Sequence, residues 1–250
     1  MRAYRAFTRV ELIMFLREPF AVFFTLVLPV GLQLIFGAAF GKYEIDGVPT
    51  SSLQLAGIAL MVASYLGLMG IPIVMAEYRE LGVLRAFRIV PARFSQFILA
   101  HVTVEVLMFT ASLATCFLAT AFVFGIVFHG SVVQFGLVLA ATLVMFLALG
   151  FAISSIGASA RTSQAIGASL YFLSLFTSGA AIPREQMPDT LRSVLDKFPS
   201  SILLDRLQNS WTGTEGWGPS LAAVAIALCI AAAAVRFATK RFDQDVSQTS

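Results

Sequence analysis

From Val106 to Ala160 the chain runs for 55 residues without one Asp, Glu, Lys or Arg. A membrane-spanning helix needs only about 20 apolar residues, so the run is too long for one helix. Its single polar break is Phe128-His129-Gly130-Ser131, and the segment reads as a hairpin of two spans. The remaining composition agrees: 58% of the 250 residues are hydrophobic, 12% are charged, and the mean hydropathy is +0.85. A soluble domain of this size cannot hide that much apolar surface, since average domains carry about twice that charge fraction. The pattern excludes a disordered chain, a disulfide-stapled module and most soluble enzymes. Cys116 and Cys229 both lie inside apolar runs and read as small hydrophobes.

Counting the other charge-free runs gives an all-α integral membrane protein with six transmembrane helices forming one domain over 1–250. The spans fall at about 20–40, 53–75, 98–127, 132–159, 162–182 and 219–237, with an amphipathic N-terminal segment at 1–19 and an outer loop at 182–218. Pro29 and Pro72 are expected to kink the first two spans. Six spans put both ends on one side. With the N-terminus inside, twelve of the seventeen basic residues fall on the inner side, and four of the other five, Arg184, Arg192, Lys197 and Arg206, share one long outer loop. The excess of basic residues makes that side cytoplasmic. Trp211 and Trp217, just before the last span, fit an outer interfacial belt. The basic residues sit at span ends and form no nucleic-acid-binding face.

In the N-terminal segment Phe7, Val10, Leu12 or Ile13, Met14 and Leu16 form an apolar side, while Arg5, Arg9 and Glu11 point elsewhere, as in a helix lying in the membrane interface. No small-residue cleavage site follows the first apolar run, so this is not expected to be a removable signal peptide. Between the second and third spans, Leu81, Leu84, Phe87 or Arg88, and Pro91 recur at helical spacing, with Glu77, Glu80 and the arginines on other faces. Pro91 ends the pattern. A loop that served only topology would have no reason to order its apolar residues on one face, so the spacing predicts a short cytoplasmic docking helix.

The stretch Glu77, Arg79, Glu80, Gly82, Leu84, Arg85 and Pro91, with Phe87 inside it, resembles the acidic pair, Gly, Leu-Arg and terminal Pro of the type-2 membrane subunits of ATP-binding cassette (ABC) exporters. The resemblance extends to Arg17-Glu18-Pro19, to the six spans, and to Gly179, Pro183 and Pro188 in the outer loop; Phe198-Pro199 stands where the family often has Asn-Pro. It implies that this segment is a coupling helix seated in a cytoplasmic ABC ATPase, that the N-terminal helix also touches that ATPase, and that a second permease copy or a paralogue completes the complex in the cytoplasmic (inner) membrane. It further implies a cargo cavity walled by the second and fifth spans, where Met61, Tyr65, Met69, Ser169, Phe172 and Phe176 offer an aromatic and thioether surface for amphipathic drugs, antibiotics or lipid-like cargo. Polysaccharide export is the next cargo class.

The chain has no Gly-x-x-x-x-Gly-Lys-Ser/Thr, so it is expected to bind no cofactor itself and to leave ATP and Mg to its partner. No catalytic or metal-binding set is expected either. His101 and Glu105 stand at i and i+4 and read as a proton relay or as a hydrogen-bonded pair turned into the bundle; two ligands do not make a metal site. A proton relay would belong to a secondary transporter, the rival to an ATP-driven permease. Gln33 and Gln164 are expected to bond between helices, and Gly150, Ser154 and Ala158 to form a close-packing stripe.

Overall fold

The structure is a computed structural model that describes residues 2–41, 43–45, 47–81, 94–156, 159–178 and 189–247. Apart from a small hairpin, β1 (Glu44–Ile45) with β2 (Val48–Pro49), its elements are helical. The N-terminal helix α1 is Arg2–Arg17 and α2 is Pro19–Phe40. Helix α3 starts as Thr50–Tyr65, passes through a π-helical turn at Leu66–Gly70 and continues as Ile71–Glu80. Then come α4 (Phe94–Val123), α5 (Val132–Ile156), α6 (Ala160–Ser178), α7 (Asp189–Leu195), α8 (Pro199–Thr212) and α9 (Trp217–Ser247).

Five stretches are long and apolar enough to cross a membrane: Pro19–Phe40, Thr50–Tyr78, Ser95–Val123, Val132–Ile156 and Trp217–Arg241. Residues 162–178 of the fifth expected span lie in α6, but Arg161 together with the Ser, Thr and Gln residues keeps that helix out of the set. The third ends at Val123 instead of near 127, because Phe124 to Ser131 leave the helix.

Helix α3 is the hub, with both sides of Leu53 to Ala63 buried. Against it pack α5 and α6. Along α9, Ala223, Ala227, Ala231, Ala234 and Ala238 are buried at helical spacing, while Leu221, Leu228, Val235 and Phe237 stay exposed. The small residues let the α9 backbone lie close to α5, and the large ones are left for lipid.

At both prolines expected to kink the helices, the chain forms a π-helical turn. In each, the residue before proline bonds five residues back: Leu28 N–H to the Phe23 carbonyl, and Ile71 N–H to the Leu66 carbonyl. A proline has no N–H and its ring crowds the carbonyl four residues earlier. Widening the turn relieves that clash. It also strips the carbonyls of Gly67 and Leu68 of their ordinary helical donors, because Ile71 is used and Pro72 has none. Neighbouring helices come close to those two carbonyls: a Cβ on Gly150 of α5 would collide with the Gly67 oxygen, and one on Gly167 of α6 with the Leu68 oxygen. Glycine is needed at both positions. Gly150 and buried Ser154 thus pack as expected, while Ala158 lies outside the described residues.

The described part of the loop between α6 and α9 is largely helical. Its helix α8 buries Leu203, Leu204, Leu207 and Trp211. Trp211 is not part of an interfacial belt: it is 3% exposed, its Nε1 donates to the Val127 carbonyl at 2.8 Å, and its ring meets Phe128 and Phe135 edge-on. Trp217 is 46% exposed. The non-helical stretch before α5 is held by the end of α8, since the N–H groups of His129 and Gly130 both donate to the Trp211 carbonyl and that of Ser131 donates to the Ser210 carbonyl. Irregular backbone at membrane depth survives only with such partners. Gly213 then ends α8 in the left-handed conformation at φ +75°.

Candidate functional site

Three groups of residues could carry function. The first is the end of α3. Glu77 and Glu80 are exposed there, and Leu81, just beyond the helix, is 77% exposed. Arg79 lies on the same helix; its side chain, and all of Gly82, Leu84, Arg85, Phe87 and Pro91, fall outside the described residues. Glu80 does more than face solvent. Its Oε1 accepts a hydrogen bond of 2.7 Å from the N–H of Ala160, the first residue of α6. Ser159 Oγ accepts from Thr162 N–H at 3.2 Å in the same turn. The first N–H groups of any helix lack helical partners and carry the positive end of its dipole, so a serine and a carboxylate from another helix satisfy them together. Glu80, Ser159, Ala160 and Arg161 line an open cleft of about 450 Å³. The end of α3 is thereby tied to the start of α6.

The second group is the aromatic face of α3 and α6. Tyr65 stacks on Phe24 of α2 at 5.5 Å and meets Tyr171 of α6 edge-on at 6.0 Å; Tyr171 in turn touches Phe172 at 5.3 Å. Tyr65 and Met69 are half-buried. Ser169, Phe172 and Phe176 are exposed, and the Ser169 hydroxyl donates back to the Ala165 carbonyl. Met61 is 7% exposed and packs in the core of the bundle. Burial therefore divides the six residues into one that fills the core, two at its edge and three on an open face. Gln164, expected to bond between helices, is exposed on α6; Gln33 does bond across, donating to the Ser51 carbonyl at 2.8 Å. An unexpected counterpart is Gln134 of α5, which is buried and donates to Ser220 Oγ of α9 at 2.7 Å.

The third group joins α1 to α3 and α4, and only half of it is legible in the sequence. His101 and Glu105 do face one another, with Nε2 3.5 Å from Oε1. His101 also turns Nδ1 to Glu11 Oε2 at 3.2 Å, and Glu11 Oε1 accepts from the Tyr78 hydroxyl at 2.9 Å. Glu11, expected to point away from the bundle, is 5% exposed, whereas Val10, Met14 and Leu16 on α1 are about half exposed. The reason is compensation: a carboxylate can be buried where charged or polar donors await it, and apolar side chains lose nothing by facing lipid. Tyr4 bonding to Thr103 at 2.8 Å and Phe7 packing edge-on to Phe97 complete the α1–α4 seam. A signal for Glu11 existed in its place among apolar neighbours, but its partners lie far along the chain. Among the described residues no group of three His, Cys, Asp or Glu side chains is placed to hold a metal ion.

No curated protein matches the chain. One family model does, that of the ABC-2 type transporter, and it matches residues 2–209, a stretch that includes α1, the hub α3, α6 and all three groups of residues. With its several long apolar helices the protein is a multi-pass membrane protein, and it belongs to the ABC-2 type transporter family.

Proposed function

We propose that this chain is the permease subunit of an ATP-driven exporter, working as two copies or as one copy with a paralogue, bound to two cytoplasmic ABC ATPase subunits that handle ATP and Mg. Its cargo is amphipathic, a drug, an antibiotic or a lipid-like molecule, and moves outward across the cytoplasmic membrane. Both termini lie in the cytoplasm. Helix α6 is the fifth of six spans: its 19 residues extend about 28 Å, close to the hydrocarbon thickness of about 30 Å.

The observation that carries this reading is the bond from Glu80 to the first N–H of α6. A push on the segment around Glu77, Arg79 and Glu80 passes along α3 directly and into α6 through Glu80. Those two helices bear the aromatic face of Tyr65, Met69, Phe172 and Phe176. A docking segment that moves two wall helices together is what a permease needs to convert ATPase closure into a change of cavity shape, with cargo bound differently in the two states. The chain supplies no catalytic group.

The test is affinity purification from native membranes. An ABC ATPase is expected to accompany the protein, and Glu80→Arg and Gly82→Leu are each expected to weaken that association and cargo-stimulated ATP hydrolysis while leaving membrane insertion intact. A chain that purifies alone, or normal assembly and turnover in both variants, removes the assignment.

A further inference from the structure

Helix α1 meets the ends of two spans and crosses them. Its Tyr4 bonds to Thr103 and its Glu11 faces His101. The two α1 residues are separated by about 10 Å of helix, whereas their partners on α4 are separated by only about 3 Å. A helix running along α4 would meet its partners at matching intervals, so α1 lies across it. The contacts fall in the first three turns of α4, from Phe97 to Thr103, and Tyr78, which donates to Glu11, closes the apolar stretch of α3. A helix laid across the ends of two membrane spans lies at the bilayer surface.

The same contacts fix which side of α1 points away from the bundle. Tyr4, Phe7, Glu11 and Phe15 turn inward. Arg5 and Arg9, one turn apart, are exposed on the opposite side, as is Arg17 two turns further on. Beside them Val10, Ile13 and Met14 are exposed as well. Glu11 is the one acidic side chain within α1, and it is buried, so the outward side carries positive charge alone. Among the described residues none of the three arginines makes an ion pair, and Glu18, in the turn before α2, pairs with none of them. Basic and apolar side chains exposed together suit the headgroup layer, where the apolar ones reach acyl chains and the long basic ones reach phosphates. A guanidinium fork matches two phosphate oxygens. A zwitterionic headgroup already holds an ammonium beside its phosphate, whereas an acidic headgroup has a net negative charge left to offset.

We propose that the outward face of α1 binds acidic phospholipids, with Arg5, Arg9 and Arg17 on the headgroup phosphates and Val10, Ile13 and Met14 among the acyl chains. The lipid thereby holds α1 where its inward face receives Tyr78, two residues before Glu80 at the end of α3.

Native mass spectrometry of the purified full chain in detergent, titrated with phosphatidylglycerol or with phosphatidylcholine of the same acyl chains, tests this. It needs no ATPase and does not depend on the sidedness of the chain, so its outcome is separate from that of the exporter assignment. A basic residue at an acidic lipid surface adds about fivefold to binding, and the wild type is expected to hold phosphatidylglycerol about tenfold or more tighter than phosphatidylcholine. Arg5→Gln, Arg9→Gln and Arg17→Gln together are expected to bring that ratio close to one. The three corresponding lysine substitutions are expected to keep most of it, since lysine keeps the charge. Arg236 and Lys240, exposed on α9, provide the control: Arg236→Gln with Lys240→Gln is expected to leave most of the ratio. No preference in the wild type, or an unchanged ratio in the triple glutamine variant, overturns the proposal and leaves this face to a protein partner. An equal loss in the α9 control overturns it too, because total charge would then set the preference. Should the triple glutamine variant aggregate, Arg9→Gln alone decides: its ratio is expected to fall by about fivefold, and an unchanged ratio overturns the proposal.

Discussion

Glu80 and Trp211 show how far single residues can be read from sequence. Both tryptophans precede the last span and look equally interfacial, yet Trp211 donates to Val127 inside a cluster of aromatic rings whereas Trp217 is exposed. The difference comes from the non-helical stretch after α4, which folds back under α8 and has no periodicity to announce it. Trp211→Ala is expected to destabilise the detergent-solubilised protein by about 3–5 kcal/mol, and Trp217→Ala by far less. Equal shifts of the melting midpoint would place Trp211 outside the core. Glu80 stands out in the sequence as an acidic member of the expected docking segment, but its bond to Ala160 spans 80 positions and leaves no local trace. Loss of a helix-capping acceptor costs about 0.5–2 kcal/mol. Glu80→Ala is therefore expected to speed hydrogen exchange in the first turn of α6, and Glu80→Gln, which keeps an acceptor, to do so less. Unchanged exchange in both variants would show that the bond adds nothing to α6.

Among the helices, α3 has the most specific design. Pro72 is visible in the sequence as a helix disturbance, but whether it produces a kink, a break or a widened turn depends on what meets the carbonyls it leaves without donors. Here Gly150 and Gly167 bring two other backbones against Gly67 and Leu68, so the widened turn sits where three helices meet closely. Gly150→Leu inserts a side chain where even a Cβ collides with backbone, and overpacking of that kind costs about 1–3 kcal/mol or more. It is expected to lower the melting midpoint and the yield of folded protein; a stable Gly150→Leu would mean that α3 and α5 are not in contact there. Pro72→Ala is the converse experiment, since it restores an N–H donor and removes the ring. The helix is expected to gain thermal stability while transport falls, because the register of the Glu77–Glu80 end relative to Tyr65 changes. Retained transport with higher stability would make the widened turn a tolerated irregularity.

For the whole molecule, the sidedness of the chain is open to direct measurement. In a background lacking Cys116 and Cys229, a cysteine at Thr50 or Thr214 is expected to react with an impermeant reagent in intact cells, and one at Ser247 is not. The reverse pattern would overturn six spans with both ends inside. Much of this architecture follows from the sequence alone: charge-free runs set where helices can lie, because an unpaired charge or backbone group in hydrocarbon costs several kcal/mol wherever the helix is placed. Basic residues at the ends orient the chain by the same local accounting. The five long apolar spans and the family membership are written in short stretches of residues. What tertiary structure alone decided is which polar groups meet. Glu11 with His101, Glu80 with Ala160 and Trp211 with Val127 are separated by 90, 80 and 84 positions, and no hydrophobic period encodes them. Apolar side chains accept any neighbour of suitable shape, so their pattern predicts burial without naming a partner. A buried hydrogen bond is directional and needs one particular partner, and that partner is chosen only when the helices pack.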